Sequence, residues 1–72
     1  MKDKVVKEFN SIGNYRVRVI ENKKGAFMLD VREYIESDTF TGFTRKGVRF
    51  ELARVIELDN ALVDVIALME GV

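Results

Sequence analysis

Over the first two thirds of this chain apolar and polar residues alternate in short runs, and over the last third the alternation gives way to helical spacing. The clearest alternation is Tyr15-Arg16-Val17-Arg18-Val19. Tyr15, Val17 and Val19 fall on one face and Arg16, Arg18 and Ile20 on the other, the period of two that marks a half-buried strand. Residues 4–9 make a shorter, poorly alternating strand candidate, and residues 10–14, Asn-Ser-Ile-Gly-Asn, carry turn chemistry. Residues 21–25 read as a hairpin loop whose Gly25 can take positive φ. The next strand, residues 26–35, puts Phe27, Leu29 and Val31 on one face and Met28, Asp30, Arg32 and Tyr34 on the other. Residues 36–44 read as a longer loop carrying Phe40, Gly42 and Phe43. Val48, Phe50 and Leu52 then alternate with Arg49 and Glu51 in a last strand.

From Leu52 to Met69 the apolar positions are Leu52, Val55, Ile56, Leu58, Leu62, Val63, Val65, Ile66, Leu68 and Met69, a helix with an unusually wide apolar face. Asp59-Asn60 is a candidate break, able to cap a second segment. The expected architecture is α+β: a four-stranded curved antiparallel sheet followed by one C-terminal helix. With no proline, no repeat and no low-complexity tract, residues 1–72 make a single domain. One small sheet cannot cover so much apolar helix, whereas a second copy of the helix can. Leu58, Leu62, Val65, Ile66 and Met69 are the expected homodimer interface.

Composition sharpens that expectation. A chain of 72 residues buries only about 60% of its unfolded surface, so its core is marginal and needs reinforcement. With no Cys and no His, disulfides are excluded, a zinc site is left with carboxylates alone, and Ser-His or Cys-His catalysis cannot be assembled. Oligomerisation is the device that remains. No metal, no cofactor and no enzymatic activity are expected. Asp30 and Glu33 point to opposite faces of a strand, and Glu36 and Asp38 lie in a loop, so the acids form no catalytic cluster. The N-terminus leads into no apolar run long enough for a signal peptide or a membrane span, which points to a soluble, intracellular protein. Net charge is zero but unevenly spread. Residues 1–25 hold seven Lys and Arg against three acids, and residues 51–72 hold one Arg against five acids. Such asymmetry hints at an electrostatic partner.

The candidate chemistry lies between Phe27 and Gly47. A strand bearing Arg32 and Tyr34 on one face leads to Arg45-Lys46-Gly47, so that guanidinium, ammonium and phenol groups stand beside backbone, as a single-stranded nucleic acid requires. Lys23 and Lys24 in the hairpin add charge, and Phe43 is either a stacking platform or a plug over the end of the sheet. Each feature has a plain structural alternative: a cross-strand ion pair for Arg32, solubilising loop charge for Lys23, Lys24, Arg45 and Lys46, and harmless surface decoration for Arg16 and Arg18.

Four antiparallel strands and a helix, with Lys24-Gly25 in the hairpin, Asp30-Val31-Arg32-Glu33-Tyr34 in a strand and Arg45-Lys46-Gly47 before the next, resemble the positive cofactor four family. These are transcriptional coactivators whose core domain binds single-stranded DNA. The resemblance covers residues 9–52 and is weak beyond. It implies a homodimer with helices packed across the two-fold axis and single-stranded DNA along the sheets, held by Lys24, Arg32, Arg45, Lys46 and Gly47. The chain departs from the family pattern in having Lys23 and Ile35 where aromatic residues are common, and Phe43-Thr44 where a proline is usual. Lack of a serine-rich extension suggests a prokaryotic or viral relative, acting in the nucleoid or in a host cell. One ambiguity concerns the second strand. Gapless alignment puts Val17 and Val19 on the nucleic-acid face, whereas a hairpin one residue longer puts Arg16 and Arg18 there, and hydrophobic alternation favours the arginines.

The function expected is single-stranded DNA binding with little sequence preference, in transcription or in DNA replication, recombination or repair, alongside the proteins of those processes. Two alternatives stand beside it: a protein-interaction module docking a partner through the apolar helix, and an RNA-binding protein.

Overall fold

A computed structural model describes residues 3–71. It contains strands β1 (Lys4–Glu8), β2 (Tyr15–Glu21), β3 (Phe27–Glu36) and β4 (Thr41–Glu51), followed by helix α1 (Leu52–Glu70). The strands form one curved antiparallel sheet in the order β1-β2-β3-β4, so each strand pairs with its neighbours in sequence. The turns follow from local chemistry. Asn22 closes the β2–β3 hairpin: its Oδ1 accepts from the backbone N–H of Lys24 (2.9 Å) and Ala26 (3.0 Å), while Gly25 takes φ +84°. The β3–β4 turn is held by Ser37, whose Oγ donates to the carbonyl of Phe40 (2.9 Å) and accepts from its N–H (3.1 Å).

Two expectations are corrected. Residues 36–44 are not a long loop, because β4 begins at Thr41 and only residues 37–40 turn. Thr41, Gly42 and Phe43 pair with Glu36, Ile35 and Tyr34. Nor does the helix break at Asp59-Asn60. It runs unbroken from Leu52 to Glu70, since Asp and Asn inside a helix cost only about 0.7 kcal/mol or less, too little to stop one flanked by Leu and Ala. The helix follows β4 with no intervening residue: Glu51 is extended (φ −74°, ψ 168°) and Leu52 is helical.

The register between β3 and β4 carries a bulge. Arg32 pairs with Gly47 and Tyr34 with Phe43, so two steps along β3 match four along β4. An even insertion preserves the alternation of faces, which leaves Phe43 on the same side of the sheet as Tyr34. Thr44 ties the bulge down: its hydroxyl donates to Glu33 Oε1 (3.0 Å) and accepts from the N–H of Lys46 (3.0 Å).

The two faces differ in kind. Val17, Val19, Leu29, Val31, Val48 and Phe50 share one face, and α1 meets the sheet there through its first turns, where Leu52 and Val55 line a shallow, open apolar groove with Val19, Phe27 and Leu29. Arg16, Arg18, Ile20, Met28, Asp30, Arg32, Tyr34, Phe43 and Arg49 occupy the other. Among the described residues only Ile20 (1% exposed) and Asp30 (0%) are buried, and the helix buries none of its side chains. The radius of gyration is 14.4 Å, against about 11 Å for a compact domain of this length.

Gly47 has a role inside the sheet. It takes φ +152°, and a Cβ there would collide with the Val31 carbonyl oxygen and lie 2.8 Å from the Arg32 Cα. Gly47→Ala is therefore expected to destabilise the protein by about 1–3 kcal/mol, measured by denaturant unfolding at fixed protein concentration. Unchanged stability would show that the bulge relaxes without strain.

Candidate nucleic-acid interface

The polar face is organised around one carboxylate. Arg18 lies opposite Asp30 on β2, Arg49 lies opposite it on β4, and Arg32 stands two residues along β3 on the same face. Asp30 Oδ2 accepts from Arg18 Nη2 (2.7 Å) and Nε (3.2 Å), while Oδ1 faces Arg49 Nε (3.4 Å) and Arg32 Nη2 (3.6 Å). Burial alone would push this carboxyl up. The Arg18 hydrogen bond and the charges of Arg18, Arg49 and Arg32 outweigh that effect and hold it below the usual carboxylate value of 3.8. No buried side-chain polar atom among the described residues lacks a hydrogen-bond partner.

Next to this cluster runs a row of arginine–aromatic contacts. The Arg18 guanidinium lies 4.6 Å from the Phe43 ring centroid, and the Arg16 guanidinium lies 3.9 Å from that of Tyr34. The two rings meet edge to face at 5.1 Å and 76°. Arg16 also stands 3.7 Å from Glu8, and Arg49 donates from Nη1 to Asp3 (2.8 Å). The outer arginines of the face thus have acidic neighbours at its edges. Among the described residues, Arg18 and Arg32 have only the shared, buried Asp30 as an acidic partner.

The structure brings together Arg16, Arg18, Arg32, Tyr34 and Phe43 on the face opposite α1. In the second strand Arg16 pairs with Arg32 and Arg18 with Asp30, so the arginines share the face of Tyr34 while Val17 and Val19 lie on the helix side. Arg45 and Lys46 are exposed in the bulge of β4. Lys23 and Lys24 are exposed in the hairpin, at the other end of the sheet, with five steps along β3, roughly 16 Å, from Phe27 to Arg32. No ion pair joins Lys23, Lys24, Arg45 or Lys46 to another described residue. Arg49 escaped the sequence reading. Its alternation with Val48 and Phe50 opposes it to the apolar face, but its meeting with Asp30 depends on the bulge, which sequence spacing does not fix.

The side chains offer guanidinium donors held by Asp30 beside two partly exposed rings, Phe43 being 38% exposed. Among the described residues no group of His, Cys, Asp and Glu is suited to hold a metal ion, and no helix is long and apolar enough to cross a membrane. No family model, curated protein or solved structure matches the chain.

The ionised Asp30 contributes stability that is fully present above the usual carboxylate pKa and is lost as pH falls through its own lowered value. Melting curves at fixed protein concentration should show the wild type losing stability below about pH 3.8 more steeply than Asp30→Asn. Parallel curves would remove Asp30 from the acid response.

Proposed function

We propose that this protein binds single-stranded DNA with little sequence preference, as a homodimer, and that it is a member of the positive cofactor four family. The observation that carries this reading is the face opposite the helix, where Arg16 lies over Tyr34 and Arg18 over Phe43, with Arg32 alongside. Guanidinium groups suit phosphates, and ring faces suit unpaired bases of any identity, each stacked base contributing about 1–3 kcal/mol. A duplex hides its base faces and gains nothing from the rings. Arg45 and Lys46 in the bulge extend the cationic track along β4, and Lys23 and Lys24 would meet a strand continuing to the hairpin end. Contact at Gly47 would be made through the backbone.

The homodimer follows from what one chain leaves uncovered. Leu58, Leu62, Val65, Ile66 and Met69 are all exposed on α1, as are Leu52, Ile56, Val63 and Leu68. An apolar surface of this extent in a natural protein marks an interface, and a second copy of the same helix and sheet face is its most economical cover. The protein would act in transcription or in DNA replication, recombination or repair.

Fluorescence anisotropy of a labelled thymine oligonucleotide, at two salt concentrations and with duplex as competitor, tests the reading. Binding should weaken with a log–log slope of about −0.7 per phosphate neutralised, resist duplex, and fall for Arg32→Ala against every sequence tried. An absence of binding at low salt would sink the proposal, and a strong preference for the RNA equivalent would redirect it to RNA. Ile66→Asp should convert the dimer to monomer by light scattering, because the interface would bury an unpaired charge. A fully dimeric variant would place the interface elsewhere.

A further inference from the structure

We propose that Asp30 is a positioning residue of the single-strand site: it touches no ligand itself, and its carboxylate sets the guanidinium geometry through which Arg18 and Arg32 hold phosphate. The proposal rests on the single-stranded DNA reading and adds to it the device that shapes the site.

Asp30 is 0% exposed and sits at the centre of the polar face, so a nucleic acid lying on that face meets the arginines and not the acid. Both donors that Asp30 takes from Arg18, Nε and Nη2, converge on one oxygen, Oδ2. That side-on grip fixes the plane of the guanidinium and leaves Nη1 uncommitted to Asp30. The guanidinium carbon lies 4.6 Å from the Phe43 ring centroid, and Phe43 in turn meets Tyr34 edge to face, with Arg16 over the Tyr34 ring. Orientation therefore passes from Asp30 to Arg18, and from Arg18 along the row of rings. Arg32, at 3.6 Å from Oδ1, is drawn toward the same carboxylate from its own strand. A free arginine side chain loses rotamer freedom on meeting a phosphate. Here much of that loss is already taken in folding.

Charge alone predicts the opposite effect of removing this acid. Asp30→Asn deletes a negative charge from a face that binds a polyanion, so a site governed by net charge should bind more tightly and with a steeper salt dependence. A site governed by guanidinium placement should bind about tenfold more weakly, with the slope reduced by about 0.7 for each phosphate no longer held. The three arginines are partly exposed and can turn to water, so the variant has a route to a folded state.

The experiment is anisotropy with labelled oligo-thymine on wild type, Asp30→Asn and the charge-conserving Arg18→Lys, with stoichiometric titration to count competent molecules. Lysine keeps the charge at position 18 but cannot make the side-on pair with Asp30. Weaker binding by both variants at undiminished stoichiometry supports the positioning role. A merely structural role would lower stoichiometry and leave the dissociation constant and salt slope of the competent fraction unchanged, which would overturn it. Equal or tighter binding by Asp30→Asn, with wild type binding normally, would overturn the positioning role while leaving the DNA reading intact. If Asp30→Asn does not fold, Asp30→Glu decides, since it keeps the charge and moves the carboxylate by one methylene: wild-type affinity overturns the proposal and a clear loss at undiminished stoichiometry supports it. Wild type that fails to bind would end both readings.

Discussion

A carboxylate with no access to water, gripped from three strands, is the contact on which the polar half of this molecule depends. Asp30 is the one charged side chain among the described residues that is fully buried, and charge is buried at a cost of several kcal/mol unless it is paired. The pairing here is arranged by register. Arg18 and Arg49 are the cross-strand neighbours of Asp30, and Arg32 is its next neighbour on the same face. Any slip of β2 by one residue would turn Arg18 to the helix side and leave Asp30 facing valine, so the ion cluster and the strand register specify each other. The bulge at Thr44 to Lys46 belongs to the same arrangement. By adding an even number of residues it lets Arg49 face Asp30 while Phe43 still faces Tyr34, with Gly47 permitting the close approach between β3 and β4.

The other half of the molecule obeys a different constraint. The apolar face of the sheet meets α1 only near the start of the helix, and the rest of the helix extends away with its apolar residues exposed, Leu68 to 73%. Such a chain cannot owe its stability to its own core. Its two faces are thus divided by the physics available to them. One is held by ion pairs and arginine–aromatic contacts and stays open to solvent, and the other is apolar and largely uncovered along the helix.

Much of this was legible in the sequence because alternation is a local signal. Tyr15 to Val19 and Phe27 to Tyr34 each declare their faces without reference to any other strand, and the ten apolar positions from Leu52 onward declare a helix. What alternation does not carry is the offset between strands. The turn at residues 37–40 was hidden because Phe40, Gly42 and Phe43 look alike as loop or strand until Ser37 is seen to close on Phe40. The cluster around Asp30 was hidden for the same reason: Arg32 reads as one half of an ordinary cross-strand surface pair, and only the register shows that Arg18 and Arg49 converge with it on Asp30. Asp59-Asn60 misled through local chemistry that helix continuity overrides.

A net charge of zero does not weigh against a polyanionic partner once charges are placed. The acids of the C-terminal third, Glu57, Asp59, Asp64 and Glu70, lie on α1, with Arg54 paired to Glu57 at 2.6 Å. The helix is 19 residues long, about 28 Å, and meets the sheet only on the face away from the arginines. At physiological ionic strength exposed charges are screened over about 8 Å, so most of the helix acids contribute little to the potential at Arg18 or Arg32. The acids that do stand on or beside the polar face are Asp30, Asp3 and Glu8, with Glu36 and Glu51 at the ends of β3 and β4. Asp30 is buried beneath the guanidiniums it orders, while Asp3 and Glu8 sit at the edges against Arg49 and Arg16. What a ligand approaching the centre of the sheet meets is therefore cationic and aromatic, whatever the sum over the whole chain.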